Sequence, residues 1–177
     1  MKQCMLRLRS GLFLTAALLL LAGCGPTTAD EFRKAVGGSS SSHIATTYET
    51  FDVARPFQDV SATLRQKTEQ CLDKTVHVIC TNCINRGEIG QQIWKPTVIA
   101  TAQRTEVHLQ LKRTDIHEIG SPPNGNYEIV LDATPVDKKR TKIEIYRLRP
   151  NKKFIHEAMK QWAKGNTAGC PDLTTTQ

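Results

Sequence analysis

Residues 106–112 read Glu-Val-His-Leu-Gln-Leu-Lys, polar and apolar in unbroken alternation. Successive side chains of a strand point to opposite faces, so this period of two predicts a β-strand with one face buried and one wet. Outward from it, the strand signal covers Thr97–Lys112, and Gly120, Pro122, Pro123 and Gly125 stop it. Tyr127, Ile129, Leu131 and Ala133 alternate again, Asp137–Arg140 form a charged turn, and Thr141–Leu148 return as a hairpin partner. Upstream, Asn82–Gln92 carries Gly87 and Gly90 without a period and reads as a loop, while Thr75–Cys80 is a strand rich in β-branched residues.

Two helices flank these strands. Pro56 opens the first, on which Phe57, Val60, Leu64, Cys71 and Leu72 recur at helical spacing. On the second, which Asn151 can cap and Gly165 ends, Phe154, Ile155, Ala158, Met159 and Trp162 form one apolar stripe. Tyr48–Val53 supplies a short edge strand. The order β-α-β-β-β-β-α predicts an α+β domain, an antiparallel sheet of four to five strands with both helices on one face. In outline it resembles the helix-grip arrangement of several envelope lipoproteins, including domains of the outer-membrane assembly machinery; outline carries no function by itself. Trp162 belongs to the core stripe, whereas Trp94, beside Pro96, is expected in a loop as an exposed contact residue.

The amino end has the plan of a secretory signal: Lys2, Arg7 and Arg9, then the apolar run Leu12–Leu21, then small residues. The run is shorter than the roughly 20 residues needed to span a bilayer. Leu21-Ala22-Gly23-Cys24 resembles the lipobox of bacterial lipoproteins. The resemblance implies a diacylglyceryl group on the Cys24 thiol, cleavage before Cys24, and acylation (palmitate) of the new amino group. Two acyl chains already give stable attachment. Gly25 rather than aspartate comes after the cysteine, which implies the outer membrane, with the domain facing the periplasm. The expected organisation is therefore a signal peptide over 1–23, a flexible tether over 24–45 containing the Gly-Gly-Ser-Ser-Ser-Ser run at 37–42, and a soluble α+β domain over 46–177, monomeric by itself.

The 177 residues hold 24 basic and 17 acidic side chains, net +7; loss of Lys2, Arg7 and Arg9 with the signal leaves +4. That is an ordinary balance and gives no reason to expect nucleic acid. With Cys4 removed and Cys24 acylated, Cys71, Cys80, Cys83 and Cys170 remain, an even number that reads as two disulfides in an exported chain. The ends of the two helices can bring Cys71 to Cys170, which leaves Cys80 with Cys83.

Cys80-Thr-Asn-Cys83 could instead be a redox pair, but Ile84–Gly90 after it is a poor helix and no βαβ frame surrounds it. A zinc site with Cys71, Cys170 or His77 lacks a second closely spaced ligand pair. His117-Glu118 and His156-Glu157 begin like a zincin motif whose second histidine is replaced by Ser121 and Lys160. Asp115, His117 and Glu118 could form an acid/base cluster and read more simply as a solvated loop. The sequence therefore supports neither an enzyme nor a cofactor. Lys138, Lys139, Arg140, Lys142, Arg147, Arg149, Lys152 and Lys153 fall within sixteen residues, opposed only by Glu144. They read either as solubilising edge charges or as a contact for anionic lipid or lipopolysaccharide. The leading expectation is a non-catalytic envelope lipoprotein that binds a protein partner in an assembly or secretion complex. The alternatives are a thiol redox or metal protein using Cys80 and Cys83, and an anionic-lipid binder.

Overall fold

The computed structural model describes residues 25–38, 47–80, 87–115, 121–148 and 152–174. They form α1 (Ala29–Gly37), β1 (Thr47–Val53), α2 (Phe57–Leu72), β2 (Lys74–Cys80), β3 (Gly87–Ala100), β4 (Thr105–Arg113), β5 (Asn126–Pro135), β6 (Thr141–Arg147) and α3 (Lys153–Ala163). The sheet is antiparallel throughout and has six strands in the order β1-β6-β5-β4-β3-β2. The fold class is α+β, as the sequence predicts, with one more strand than expected and one more helix.

The predicted stripe of α2 is buried, and that of α3 is buried at Ile155, Met159 and Trp162 and half-buried at Phe154 and Ala158. Phe57, Val60, Leu64, Cys71 and Leu72 of α2 meet Ile155, Met159 and Trp162 of α3 over Trp94, Val107, Leu109, Leu111, Ile129, Leu131, Ala133, Ile143 and Ile145 of the sheet. Gly165, at φ +95°, ends α3: its N–H donates to Trp162 O at 2.9 Å and that of Asn166 to Gln161 O at 2.9 Å, the Schellman pattern that glycine permits. Asn151 lies outside the described residues.

The sheet corrects three expectations. The strand predicted over Thr97–Lys112 is two strands, because Thr101 and Arg104 close a turn (Thr101 N to Arg104 O, 2.8 Å) and β3 pairs back along β4 from Ala100↔Thr105 to Gln92↔Arg113. The predicted loop over Asn82–Gln92 is strand from Gly87 on, with β2 as partner from Cys80↔Gly87 to Lys74↔Trp94; residues 82–86 lie outside the described residues. Trp94 is consequently fully buried in β3 instead of exposed in a loop.

A fourth correction concerns the tether. Residues 29–37 are a helix, and the sequence carries its start signal in Thr28-Ala-Asp-Glu31, a capping box. Glu31 N donates to Thr28 Oγ1 at 3.2 Å, while Glu31 Oε2 accepts from Thr27 N at 2.7 Å and Thr28 N at 3.3 Å. A nine-residue helix is marginal alone, so packing must hold it. Ala29, Phe32 and Val36 bury against Val130, with Tyr127, Tyr146 and Leu148 around them. This is the sheet face opposite α2 and α3, so the outer side of β4 is not wet: His108 and Gln110 are buried with Leu109 and Leu111.

Candidate functional site

The most concentrated chemistry lies under α1, where Arg33 points from the helix onto β4 and β5. Its Nε donates to Asp132 Oδ2 at 2.8 Å, its Nη2 to Asp132 Oδ1 at 2.7 Å and also to Glu106, and its Nη1 to Asp30 Oδ1 at 2.6 Å. Arg104 completes the cluster, Nη2 lying 3.1 Å from Asp132 Oδ1 and Nε 3.4 Å from Glu106 Oε1. His108 Nε2 lies 3.0 Å from Glu106 Oε2. Strand alternation and register put these groups together: Glu106 and His108 share a face of β4, and Glu106 is opposite Asp132.

Burial pushes the Glu106 carboxyl up, but the hydrogen bonds from Arg33 and His108 outweigh it and hold the group below the usual carboxylate range. Burial likewise works against the Arg33 cation, and its bonds to Asp132 and Glu106 raise it regardless. Asp132 accepts from both arginines and Glu106 bonds Arg33 and His108, so the cluster fastens α1 to the sheet. The signals for it in the sequence are the capping box and the i, i+4 pair Phe32/Val36; Arg33 itself is unremarkable there.

A second, half-buried cluster joins α3 to β1. His156 Nε2 lies 2.8 Å from Glu49 Oε2 and Lys160 Nζ 2.6 Å from Glu49 Oε1. Lys160 and, with it, His156 hold Glu49 below its usual range, while burial pushes the His156 imidazole down.

The predicted basic stretch does not form one surface. Lys138, Lys139 and Arg140 occupy the exposed β5–β6 turn, where Arg140 Nε donates to Asp137 Oδ2 at 2.8 Å. Lys142 Nζ lies 3.1 Å from Glu144 Oε1. Arg147 falls on the core face of β6, in step with Ile143 and Ile145, and is buried, so it is not an anionic-surface contact. Lys152 is also buried, its Nζ 4.8 Å from the centre of the Trp94 ring. Lys153 is exposed, and Arg149 lies outside the described residues.

Cys71 and Cys170 form a disulfide with a Cα–Cα distance of 5.2 Å, as expected from the helix ends. It holds the tail after α3, whose Leu173 enters the core. A groove of about 340 Å³ runs between α3 and that tail, past Phe154, Ala158, Trp162 and Pro171. Cys24, Cys83, His117 and Glu118 lie outside the described residues, as does the side chain of Cys80. Asp115 accepts from Arg113 Nε at 3.1 Å. Among the described residues, no three His, Cys, Asp or Glu side chains are grouped to hold a metal ion, and no helix is long and apolar enough to cross a membrane.

α1 leaves part of its own sheet face open. Thr75, His77 and Ile79 of β2 and Lys95, Thr97 and Ile99 of β3 are exposed there, and β2 is an edge strand.

No family model and no curated protein matches the chain. Among solved structures it is similar to Ara h 8.0201 (12% identity, TM-score 0.33, covering 70% of this chain and 92% of that one). It is also similar to a Bacillus thuringiensis protein (10%, TM-score 0.32, 70% and 96%) and to a truncated norcoclaurine synthase from Thalictrum flavum (11%, TM-score 0.30, 73% and 93%). Likeness at this level assigns no activity.

Proposed function

We propose that the chain is a non-catalytic lipoprotein, acylated on Cys24 and facing the periplasm from the outer membrane, whose domain of helix-grip type binds an envelope protein. The observation that carries this reading is the open β2–β3 face beside α1. An edge strand, bordered by exposed Ile79 and Ile99, offers a partner both strand pairing and apolar contact. The fastening of α1 adds to it. Only Gly25, Pro26, Thr27 and Thr28 separate Cys24 from the helix, so an anchor there lies within about 18 Å of Ala29, at ~3.6 Å per extended residue. The domain then works at the membrane surface, where its partner must also be.

The test has two parts on the intact chain. Mass analysis of the amino-terminal peptide should find an acylated Cys24, and Cys24→Ser should leave an unprocessed precursor. A photo-crosslinker in place of Ile99 should give one discrete adduct with an envelope protein. Normal cleavage without acyl groups refutes the anchor, and an acylated protein that gives no adduct from Ile99 or Thr75 refutes the partner face.

A further inference from the structure

We propose that Cys170 is the sulfur of the Cys71–Cys170 disulfide at which an outside thiol acts, so that a thiol or dithiol partner joins this protein through Cys170 rather than through Cys71. The two ends of the bond stand in opposite surroundings. Cys71 is 1% exposed and belongs to the core cluster, beside Leu72 in the last turn of α2. Cys170 is exposed in the tail and lines the groove with Phe154, Ala158 and Trp162. Exchange requires the incoming sulfur to reach the attacked one in line with the bond that breaks, so access decides which end reacts. For Cys170 that approach comes from the groove. For Cys71 it would have to pass through packed core side chains.

An attacking thiolate forms a bond to Cys170 Sγ, the Cys71–Cys170 bond breaks, and its electron pair leaves on Cys71 Sγ, which takes a proton from water. Making the bond uses the same sulfur. The Cys170 thiolate attacks the disulfide of a dithiol oxidant and expels one of its thiolates; the Cys71 thiolate then attacks Cys170 Sγ and expels the other, and the oxidant takes up the two electrons. Burial and the carbonyl end of α2 both work against negative charge at Cys71. Cys71 is therefore a poor leaving group, and the closed bond resists exchange. Cys170 sits between Gly165, which ends α3, and Leu173, which enters the core, so the sulfur that meets the partner is also the one that locks the tail down.

The experiment treats the full oxidised protein, in mild detergent, with sulfite, which marks the sulfur it attacks as S-sulfocysteine and leaves the other as a thiol. After an acid quench the thiol is alkylated and the peptides are weighed. In the native protein the sulfonate should lie on Cys170 in at least about tenfold excess over Cys71, whereas in unfolding urea it should divide between them within about twofold. Reduced glutathione, quenched in the same way, should be found in mixed disulfide with Cys170. Equal division in the native protein, an excess of either adduct on Cys71, or a native bond inert to sulfite that cleaves the unfolded one overturns the proposal. None of these outcomes depends on acylation of Cys24 or on the β2–β3 face, so failure here leaves the proposed function standing.

Discussion

Replacing Arg33 with alanine tests whether α1 is part of the domain or a piece of tether. Asp132, whose side chain is 5% exposed, takes two hydrogen bonds from Arg33, at 2.8 and 2.7 Å. Removing one partner of a buried pair costs about 3–5 kcal/mol, because the other charge is stranded. Two features reduce that figure. Arg104 remains 3.1 Å from Asp132, and the contact to exposed Asp30 contributes little. The expected loss is about 2–3 kcal/mol. Urea unfolding of the oxidised chain from Gly25 onward measures it, and amide exchange over 29–37 shows whether α1 releases first. Glu106 adds a pH signature. Its folded pKa is depressed, so its contribution is present above the unfolded value of about 4.3 and is lost as pH falls through the folded value; the gap between wild type and variant should narrow in acid. Arg33→Met with Asp132→Leu, which strands no charge on Asp132, should recover part of the loss. A variant within about 0.5 kcal/mol of wild type, with α1 amides equally protected, would falsify the docking of α1.

Cys71→Ser and Cys170→Ser should destabilise equally, by up to ~4.7 kcal/mol for a loop of about one hundred residues, and reductant should bring wild type to the same midpoint. A wild-type midpoint indifferent to reductant contradicts the pairing. Burial depresses the His156 imidazole despite Glu49, with Lys160, Arg147 and Glu157 as the other charges around it. Below the unfolded histidine value of about 6.5 the unfolded chain takes up the proton first, so stability should fall as pH drops through about 6.5 toward the lower folded value, and His156→Gln should flatten that step.

The apolar stripes of α2 and α3 are legible in the sequence because 3.6-residue periodicity survives any arrangement that buries one side of a helix. Glu106–Lys112 is equally legible as a strand, yet its polar face reads as wet. Alternation reports which residues share a face and not the cover over it; Glu106, His108 and Gln110 are polar because they receive Arg33 and its neighbours, or Gly125 O in the case of Gln110 at 2.9 Å. The Thr101–Arg104 turn leaves no mark in the sequence because it holds neither glycine nor proline, and its closure depends on the Thr101 hydroxyl, which accepts from Arg104 N at 3.0 Å. α1 is hidden because it is short and the Gly/Ser run beside it dominates the composition. The basic stretch looks like a patch only along the chain; in the fold, the period of two turns Arg147 inward.

The pairing of β1 with β6 bears on how such a chain acquires its structure. Thr47 lies opposite Arg147, a hundred residues later, and all seven residues of the first strand find their partners in the last. Contacts of that span close late, because the loop entropy between them must be overcome before they give anything back. A chain emerging amino end first can dock α1 and α2 once β3–β5 have formed, but β1 must wait for β6. Throughout that interval β1 has no strand to pair with. The unpaired edge of β1 is thus the part of the fold that depends on the most distant sequence, and shortening the carboxyl end to before Thr141 should be felt first at residue 47.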